Sequence, residues 1–388
     1  MLHCQLDHTW FKTDRRYWDL ADRPVLGQQF EQHGPEWTPS ANVRLPGWFA
    51  HLLPEGELRR RIADRARVNQ DREFRLLRAI GGTDLPGALA LTAASDGEIG
   101  APAFPEELPD DVASAGNLKF SLAGVQLKFS VRPTDTGLVL PTSGADGQWI
   151  VKLPDPRFDG VPEAEHALSE FARSIGIDVP ETKLIDVDAI DGLPAWASAP
   201  GARAFAIRRY DRADDGTRVH AEEFAQVLDV PVGGDGLHRY RVSLETIART
   251  AFQLSGSSAL HGVVDRLVFN VLTGNGDAHA KNWSFIYPDG IHPALSPAYD
   301  LVPTVAFIPG DDLGLTLGGS KAWSDVTLSA VRSLVDKAGA DPTNVSDRVR
   351  EIANRIVEGW DALGNGLSQD VFDRITQHRD GLALRREL

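Results

Sequence analysis

Cysteine is almost absent from this chain of 388 residues, which contains only Cys4. A single cysteine cannot build a disulfide framework or a cysteine-rich zinc module, and such usage is typical of a reducing compartment. No apolar run approaches the roughly 20 residues that a membrane-spanning helix needs. The first residues, MLHCQLDHTWFKTDRR, also lack the apolar stretch of a secretion signal. We therefore expect a soluble, cytoplasmic protein that makes no membrane contact.

Lysine is scarce as well, because only eight of the 40 basic residues are lysine and the other 32 are arginine. Acidic residues number 55, and the resulting net charge of −15 argues against a free-standing nucleic-acid binder, since phosphate contacts are usually basic. In such an arginine-rich chain, each lysine within a polar stretch marks a position of interest. Five lysines lie among Gly, Asp and Asn in the middle of the chain: Lys119, Lys128, Lys152, Lys281 and Lys321.

Two sequence motifs of common enzymes are missing. The chain has no Gly-x4-Gly-Lys-Ser/Thr sequence, which excludes a phosphate-binding loop of the Walker type. It has no Gly-x-Ser-x-Gly elbow either, which argues against a histidine-based hydrolase triad.

The pattern of residues divides the chain into three parts: 1–112, 113–209 and 210–388. The first part is mixed and shows no clear strand pair at its extreme N-terminus. Its helical stretch 57–80 carries eight arginines against four acids, which indicates either a solvated helix face or a docking surface for an acidic partner. The stretch 95–113 is rich in Pro, Asp and Glu and is typical of a linker.

Strands precede helices in the remaining sequence, which predicts an α+β fold with two lobes. Short aliphatic and aromatic runs predict strands at 118–120, 128–131, 149–153, 182–187 and 203–208. An amphipathic helix begins at Pro162 and stops near Gly176. Further helices are predicted at 221–228, 244–254 and 263–272, and three more at about 327–338, 345–360 and 369–382.

The densest polar cluster runs from Gly274 to Asn282, directly after an apolar run. Asp277 is followed five positions later by Asn282, which is the spacing of the catalytic loop of protein kinases. In that loop the Asp receives the proton of the substrate hydroxyl and the Asn holds a metal ion. Asp300 follows after a predicted hairpin and could supply a carboxylate to Mg²⁺, which prefers hard oxygen ligands.

Other interpretations of this cluster stay open from spacing alone. Asn-Gly and Gly-Asp pairs also mark plain turns. A calcium loop is disfavoured, because His279 and Lys281 would occupy positions that an EF-hand gives to oxygen ligands.

A metal-bound nucleotide also needs a cradle for its phosphates. Between two predicted strands, the small residues Ser121, Ala123 and Gly124 would permit backbone amides to approach an anion closely. Lys128 lies four positions after the glycine, where this loop returns to a strand. We therefore predict that the segment between the two strands binds phosphate.

Lys152 has apolar neighbours in a predicted strand. A lysine in that setting is either an edge gatekeeper or a buried functional charge with an acid nearby. The helix that follows offers Glu163, Glu165 and Glu170, and a strand lysine paired with a helix glutamate positions the ATP phosphates in kinases.

These motifs resemble the HipA family of bacterial serine/threonine kinases, toxins of two-gene modules whose antitoxin is the small DNA-binding protein HipB. The most specific likeness is the pairing of NGDAHAKN at Asn275–Asn282 with SPAYD at Ser296–Asp300. FAHLLPEG at Phe49–Gly56 resembles the family's N-terminal subdomain. The resemblance implies a bilobal, protein-kinase-like α+β fold: a mixed α/β N-terminal lobe with an extra N-terminal subdomain, and an all-α C-terminal lobe.

The resemblance also implies roles for single residues in the second lobe. Asp277 would be the catalytic base, and His279 and Lys281 would line the γ-phosphate side. Asn282 and Asp300 would bind Mg²⁺.

For ATP, the resemblance implies a phosphate loop, a strand lysine and a hinge between the lobes. Glu165 would be the partner of the strand lysine, and Ser121 stands where family members phosphorylate themselves, which ejects the loop and switches the enzyme off. The full set of implied ATP-binding residues is Ser121, Ala123, Gly124, Val125, Gln126, Lys128, Lys152, Arg208, Tyr210 and Asp211.

The resemblance implies partners too: a HipB-like helix-turn-helix antitoxin, DNA only through that antitoxin, and a protein acceptor of phosphate. By analogy the acceptor is an aminoacyl-tRNA synthetase, with glutamyl-tRNA synthetase first. Two other functions stay open, namely a catalytically weak kinase-fold protein that serves as antitoxin partner and co-repressor, and a small-molecule or lipid kinase. The intact set of Asp277, Asn282, Asp300 and Lys152 favours an active kinase.

Overall fold

A computed structural model describes most of the chain. The described residues are 1–80, 84–92, 128–133, 138–140, 147–193, 197, 199–232 and 241–388. They form two compact units, which are described separately below. The first unit comprises Met1–Leu153 and Ile185–His220, and the second comprises Pro154–Leu184 and Ala221–Leu388.

The first unit begins with a three-stranded antiparallel sheet, β1 (Leu2–Gln5), β2 (His8–Phe11) and β3 (Ser40–Asn42). The expectation that the extreme N-terminus lacks a strand pair is therefore wrong. Leu6 and Asp7 connect β1 to β2, and both have a positive φ, 49° and 64°. Such two-residue turns usually carry Asn-Gly or Asp-Gly, so the Leu-Asp pair gave no turn signal.

Short helices complete this N-terminal region around an aromatic core. Phe30 packs against Phe11, Trp37, Trp48 and Phe49. Aromatic clusters of this kind bury a large apolar area at each residue and hold short elements together. The helices are α1 (Arg15–Trp18), α2 (Gln28–His33), α3 (Gly47–Ala50), α4 (Gly56–Arg65) and α5 (Glu73–Ile80).

The arginine-rich stretch forms two helices, α4 and α5, where the sequence pattern predicted one helical stretch. Arg67, in the break, has a φ of 51° that a continuing helix does not allow. Across the break, Arg59 forms a salt bridge of 2.9 Å with the buried Glu73. The Glu73 carboxylate also accepts a hydrogen bond from the backbone amide of Leu45. At least one positive charge of the stretch therefore stabilises the fold itself.

A six-stranded sheet forms the other part of the first unit, in the order β7-β9-β6-β4-β5-β8. Its strands are β4 (Lys128–Pro133), β5 (Leu138–Val139), β6 (Trp149–Lys152), β7 (Thr182–Asp186), β8 (Ile190–Asp191) and β9 (Arg203–Arg208). The four predicted strands that fall on described residues are confirmed. The predicted strand at 118–120 lies outside the described residues.

The second unit contains α6 (Val161–Ser174), which confirms the helix predicted to open at Pro162. Its apolar face packs inward, where Phe171 contacts Phe269 and Trp360. Gly176 follows the helix with a φ of 93°, a left-handed conformation that suits glycine, so the predicted stop is also confirmed.

The central element of this unit is α8 (Leu244–Thr273), which begins at the N-cap Ser243. The sequence predicts two helices here, and Gly256 breaks the regular helical geometry between them with a φ of 71°. Three helices pack against α8: α9 (Leu328–Lys337), α10 (Val345–Glu358) and α12 (Gln369–Gly381). They are the three helices predicted after residue 325, and α11 (Trp360–Gly364) and α13 (Ala383–Glu387) accompany them.

A small sheet, β10-β11-β12, lies beside the helices of the second unit. Its strands are β10 (His220–Glu223), β11 (Ser284–Tyr287) and β12 (Ala294–Leu295). The predicted helix 221–228 is therefore wrong in its first half, since only α7 (Phe224–Val227) is helical. The Tyr287 hydroxyl donates to the buried Glu222, and Phe224 stacks on Phe285, so tertiary contacts to β11 decide the conformation of this segment.

None of the helices within the described residues combines the length and the apolar character that crossing a membrane requires.

Candidate active site

The predicted catalytic loop begins where α8 ends. Gly274, the C-cap, has a φ of 74° and turns the chain out of the helix, as a left-handed glycine commonly does. Asn275 is 3 % exposed and anchors the loop, because its side-chain amide donates to the Asn270 side chain and to the carbonyl oxygen of Asp300. The loop is thus tied at its start both to α8 and to the SPAYD segment.

Asp277 presents its carboxylate to solvent while its backbone is fixed. The backbone amide donates to Asn275 Oδ1 over 3.2 Å, and the backbone carbonyl accepts from Asn282 Nδ2 over 2.7 Å. The side chain itself is 49 % exposed. A carboxylate that is accessible on a rigid loop suits a group that must meet an incoming hydroxyl.

His279 is buried next to Asp277, and its hydrogen bonds indicate its tautomer. The Lys281 amide donates to His279 Nδ1 over 3.3 Å, so in the neutral ring the proton is on Nε2. Nε2 lies 3.9 Å from Asp277 Oδ1. The imidazole N–H therefore lies on the side of the carboxylate.

Lys281 is buried, with its ammonium 3.7 Å from the Glu223 carboxylate. Its backbone carbonyl accepts a hydrogen bond from the Tyr299 hydroxyl. Glu223 and Tyr299 were not predicted as site residues, although Tyr299 lies within SPAYD, because both reach the loop only through tertiary contacts.

Asn282 and Asp300, the predicted metal ligands, line one cavity of the second unit. Asn282 uses Nδ2 for the Asp277 carbonyl, which leaves its amide oxygen as an acceptor for a cation. Asp300 has a φ of 56°, a left-handed conformation that is costly outside glycine and is typical of functional sites. The lining residues are Arg266, Asn270, Asn275, Ala278, Asn282, Trp283, Ala298, Tyr299, Asp300 and Leu301.

This donor set fits Mg²⁺ held mainly by phosphates and water. One carboxylate and one amide oxygen are hard ligands, and Mg²⁺ usually takes one or two protein carboxylates beside substrate phosphates. Among the described residues there is no group of three or more His, Cys, Asp or Glu side chains placed to hold an ion. We therefore expect weak metal binding without nucleotide.

In the first unit, Lys128 and Lys152 face each other across β4 and β6. Both side chains are buried, with 8 % and 3 % of the residue exposed. Lys152 Nζ also lies 5.4 Å from the centre of the Phe205 ring. Like charges directly opposite each other destabilise a sheet, so two buried ammonium groups in this arrangement require negative charge nearby.

Glu165, the predicted partner of the strand lysine, lies in α6 of the second unit and is fully buried. Its pairing with Lys152 stays a prediction. The loop residues Ser121, Ala123, Gly124, Val125 and Gln126 lie outside the described residues.

The predicted hinge residues follow β9. Arg208, the last residue of β9, forms an ion pair with Asp214. Tyr210 is half-buried and Asp211 is buried. Asp211 accepts two hydrogen bonds from Arg209 and one from the backbone amide of Gly87.

Asp211 belongs to a buried cluster of four charges, Asp84, Arg209, Asp211 and Arg212, named the hinge cluster below. Arg209 bonds Asp84 over 2.7 Å as well as Asp211, and Arg212 bonds both carboxylates. Burial alone would raise the pKa of Asp211, but Arg209 and Arg212 more than offset this effect and lower the pKa below its usual value. Asp84 and Arg209 were missed, although the strings TDLPGAL and RRYDR contain them.

Comparison with family models and with known proteins shows what this chain is similar to. A family model described as "HipA N-terminal domain" matches residues 2–92, and a second one, described as "HipA-like C-terminal domain", matches residues 120–360. The chain belongs to the HipA family. A Sinorhizobium fredii protein named "Putative kinase Y4dM" is 41% identical over 353 residues, which is 89% of this chain and 84% of that protein.

HipA of Shewanella oneidensis is also similar to this HipA-family chain, in sequence and in structure. The "Serine/threonine-protein kinase toxin HipA" of this organism is 25% identical, over 66% of this chain and 62% of the toxin. The solved structure of a complex of S. oneidensis HipA, HipB and operator DNA matches 98% of this chain and 92% of the matched chain, with a TM-score of 0.71 and 18% identity. At that identity the match shows the fold, and it confirms the predicted kinase-like α+β class.

Proposed function

We propose that this HipA-family protein is an ATP-dependent serine/threonine protein kinase. The observation that carries the proposal is the catalytic loop, in which the accessible Asp277 carboxylate is fixed beside a cavity lined by Asn282 and Asp300. A base and a cation site a short distance apart are what phosphoryl transfer to a hydroxyl requires. The kinase names of several relatives agree with it.

In the proposed reaction, Asp277 accepts the proton of the acceptor hydroxyl as its oxygen bonds to the γ-phosphorus, while the bond from that phosphorus to the β,γ-bridging oxygen breaks and ADP leaves. The Asp277 amide donates to Asn275 and the Asp277 carbonyl accepts from Asn282, so the backbone is held and little reorganisation is needed. His279 would line the γ-phosphate side, with its Nε2 3.9 Å from Asp277 Oδ1. Asn282 and Asp300 would hold Mg²⁺, which when bound neutralises charge on the phosphate oxygens.

For the cationic part of the ATP site we propose Lys128 and Lys152, the buried pair described above. By family resemblance, the amides of Ser121–Gln126, which lie outside the described residues, would complete the phosphate cradle. Backbone at Arg208–Tyr210 would face the adenine. The hinge cluster holds this backbone in place, because Arg209 and Asp211 are its members.

The proposal extends to regulation and partners. A phosphate on Ser121 adds a charge of about −1.5 to −2, which would compete for the amides that cradle ATP and so switch the kinase off. The similarity to a HipA found with HipB and operator DNA supports a HipB-like antitoxin as partner, with DNA contacted through it. By family analogy the cytoplasmic target is an aminoacyl-tRNA synthetase, glutamyl-tRNA synthetase first.

Self-phosphorylation tests this proposal. We expect purified wild-type protein incubated with Mg-ATP to gain phosphate at Ser121, and Ser121→Ala to lose that phosphopeptide, as mass spectrometry of digests would show. An unmodified wild type under conditions in which ATP demonstrably binds would contradict the kinase proposal. Phosphate at another residue would contradict only the assignment of Ser121.

A second expected outcome concerns the metal. Asp300→Asn removes the carboxylate but keeps the size of the side chain, so we expect the Mg²⁺ concentration for half-maximal ATP binding to rise about tenfold or more. Titration with a fluorescent ATP analogue measures this without catalysis. Asp289→Asn, in the exposed turn between β11 and β12, is the matched control and should leave the titration unchanged. Equal curves for wild type and Asp300→Asn would remove Asp300 from the metal site.

The cellular acceptor can be found by comparing phosphoproteomes after brief induction of wild type and of Asp277→Asn. A protein phosphorylated only with wild type is the substrate candidate, and a phosphorylated synthetase is the outcome that the family analogy favours.

A further inference from the structure

The segment that follows SPAYD packs directly on the catalytic loop. Thr304 is buried at the start of a single 3-10 turn, Thr304–Ala306. Its hydroxyl oxygen accepts a hydrogen bond of 2.6 Å from the backbone amide of Gly276. The same hydroxyl lies within hydrogen-bond distance of the Gly274 carbonyl and of the Asp311 carboxylate. Three groups of the loop and its neighbour therefore converge on one side chain.

Thr304 has one hydroxyl proton, and two acceptors, the Gly274 carbonyl and the Asp311 carboxylate, lie within reach of it. The Gly274 carbonyl lies 3.2 Å away, whereas the charged Asp311 carboxylate is closer and is the stronger acceptor. The Gly276 amide thus donates to the Thr304 hydroxyl, which in turn donates to the Asp311 carboxylate. This series of two hydrogen bonds is named the relay below. Hydrogen bonds in series polarise one another, so the terminal carboxylate strengthens the bond to the loop.

Asp311 is itself held in place. The indole N–H of Trp323 donates to the Asp311 backbone carbonyl over 2.8 Å. Two residues further on, the Leu313 amide donates to the Lys321 carbonyl over 2.9 Å. The acceptor end of the relay is therefore anchored by contacts that do not involve the catalytic loop.

Three glycines of this contact leave no room for a side chain. A Cβ at Gly276 would lie 2.2 Å from Asp311 Oδ2, and one at Gly314 would lie 2.8 Å from the Gly276 carbonyl oxygen. A Cβ at Gly274 would lie 2.1 Å from a methyl carbon of Val305. The segment 304–314 thus touches the backbone of the loop, and glycine is required at three positions for that approach.

We propose that Thr304 and Asp311 are positioning residues for Asp277, an inference that rests on the proposed kinase function. Gly276 is the residue immediately before Asp277, and the relay holds its amide. Asn282 holds the carbonyl of Asp277 itself. The relay thereby adds a fixed point directly before the catalytic residue, beside the bonds that Asp277 itself makes with Asn275 and Asn282, and loss of the relay removes that point.

Thr304→Val tests this role, since valine keeps the shape and removes the hydroxyl. We expect kcat to fall about 10- to 100-fold, the effect of a displacement of about 1 Å at a catalytic group. KM for ATP should change less than about twofold, because Thr304 is not placed in the nucleotide site. Thr304→Ser restores the hydroxyl and should return kcat to within about threefold of wild type.

Thr182→Val is the matched control. Thr182 is also a buried threonine whose hydroxyl donates to a carboxylate, that of Glu170, over 2.7 Å. It lies in β7 and has no bond to the catalytic loop among those described for it. This variant should keep the wild-type kcat.

Hydrogen exchange of the peptide covering 274–282 supplies a readout that needs no catalysis. We expect Thr304→Val, and not Thr182→Val, to speed exchange there about tenfold or more. Unchanged exchange would overturn the relay, and faster exchange with a wild-type kcat would overturn its positioning role. A wild type without any transfer, combined with faster exchange in Thr304→Val, would contradict the kinase proposal while supporting the relay.

Discussion

Asp277→Asn is expected to lower the rate of phosphate transfer about 10³-fold, within the range for loss of a general base. The amide keeps the shape of the side chain but cannot take the proton from the attacking hydroxyl. ATP affinity should stay within about twofold, because the Asp277 carboxylate is half exposed and its loop is held by backbone bonds that the substitution leaves in place. Single-turnover transfer and ATP titration measure the two quantities.

Asp289→Asn, the exposed turn variant introduced above, controls for the loss of one negative charge and should transfer phosphate at the wild-type rate. If Asp277→Asn keeps more than about a tenth of the wild-type rate, Asp277 is not the base. If it loses ATP binding as well, the residue acts in the nucleotide site rather than in proton transfer.

Arg209→Met is expected to lower the free energy of unfolding by about 3–5 kcal/mol. Arg209 is buried and bonds both Asp84 and Asp211, so its removal leaves two carboxylates inside the protein with reduced compensation. Arg203→Met is the matched control, because Arg203, at the start of β9, is 48% exposed and lies 4.0 Å from Asp186. A surface pair of that kind contributes about 0–1 kcal/mol. Urea unfolding measures both.

The pH dependence of this effect has a definite sign. The pKa of Asp211 lies below its usual value of 3.8 in the folded protein, so the cluster stabilises the fold above that pH and the contribution is lost as the pH falls through the folded pKa. The difference between wild type and Arg209→Met should therefore shrink on acidification below about pH 4. Equal losses for Arg209→Met and Arg203→Met at neutral pH would show that the buried cluster contributes no more than a surface pair.

The parts of the fold that were predictable from sequence have strong local signals. The helix α6 has Pro162 at its start and Gly176 at its end, and β9 was predicted with its observed bounds. The loop proposed as catalytic was located by the five-residue spacing of Asp277 and Asn282. Such signals act over a few residues, and no distant part of the chain is needed to interpret them.

The parts that were missed depend on contacts distant in sequence. Asp84 and Arg209 are separated by 125 positions, so neither string of residues indicates its partner. The sequence around Thr304 indicates no special role, because that role depends on its hydrogen bonds with Gly276 and Asp311. The strand at His220–Glu223 has no alternation that would distinguish it from a helix, and it extends because β11 pairs with it.

The scarcity of lysine gains a physical interpretation from the structure. Lys128, Lys152 and Lys281 are buried in an otherwise arginine-rich protein, whereas Lys183 and Lys337 are exposed and form surface ion pairs. A compact ammonium group suits a point contact with phosphate, which a planar guanidinium would make differently. We expect the three buried lysines to act in the ATP site.

The measurement that tests the central claim most directly is transfer of labelled γ-phosphate. Wild-type protein and Asp277→Asn are each incubated with γ-labelled ATP and Mg²⁺, and label on protein is separated from free phosphate. We expect protein-bound label on serine or threonine for wild type, and label at the background level for the variant. Equal label on both proteins, or ATP binding by wild type without any transfer to protein, would contradict the central claim.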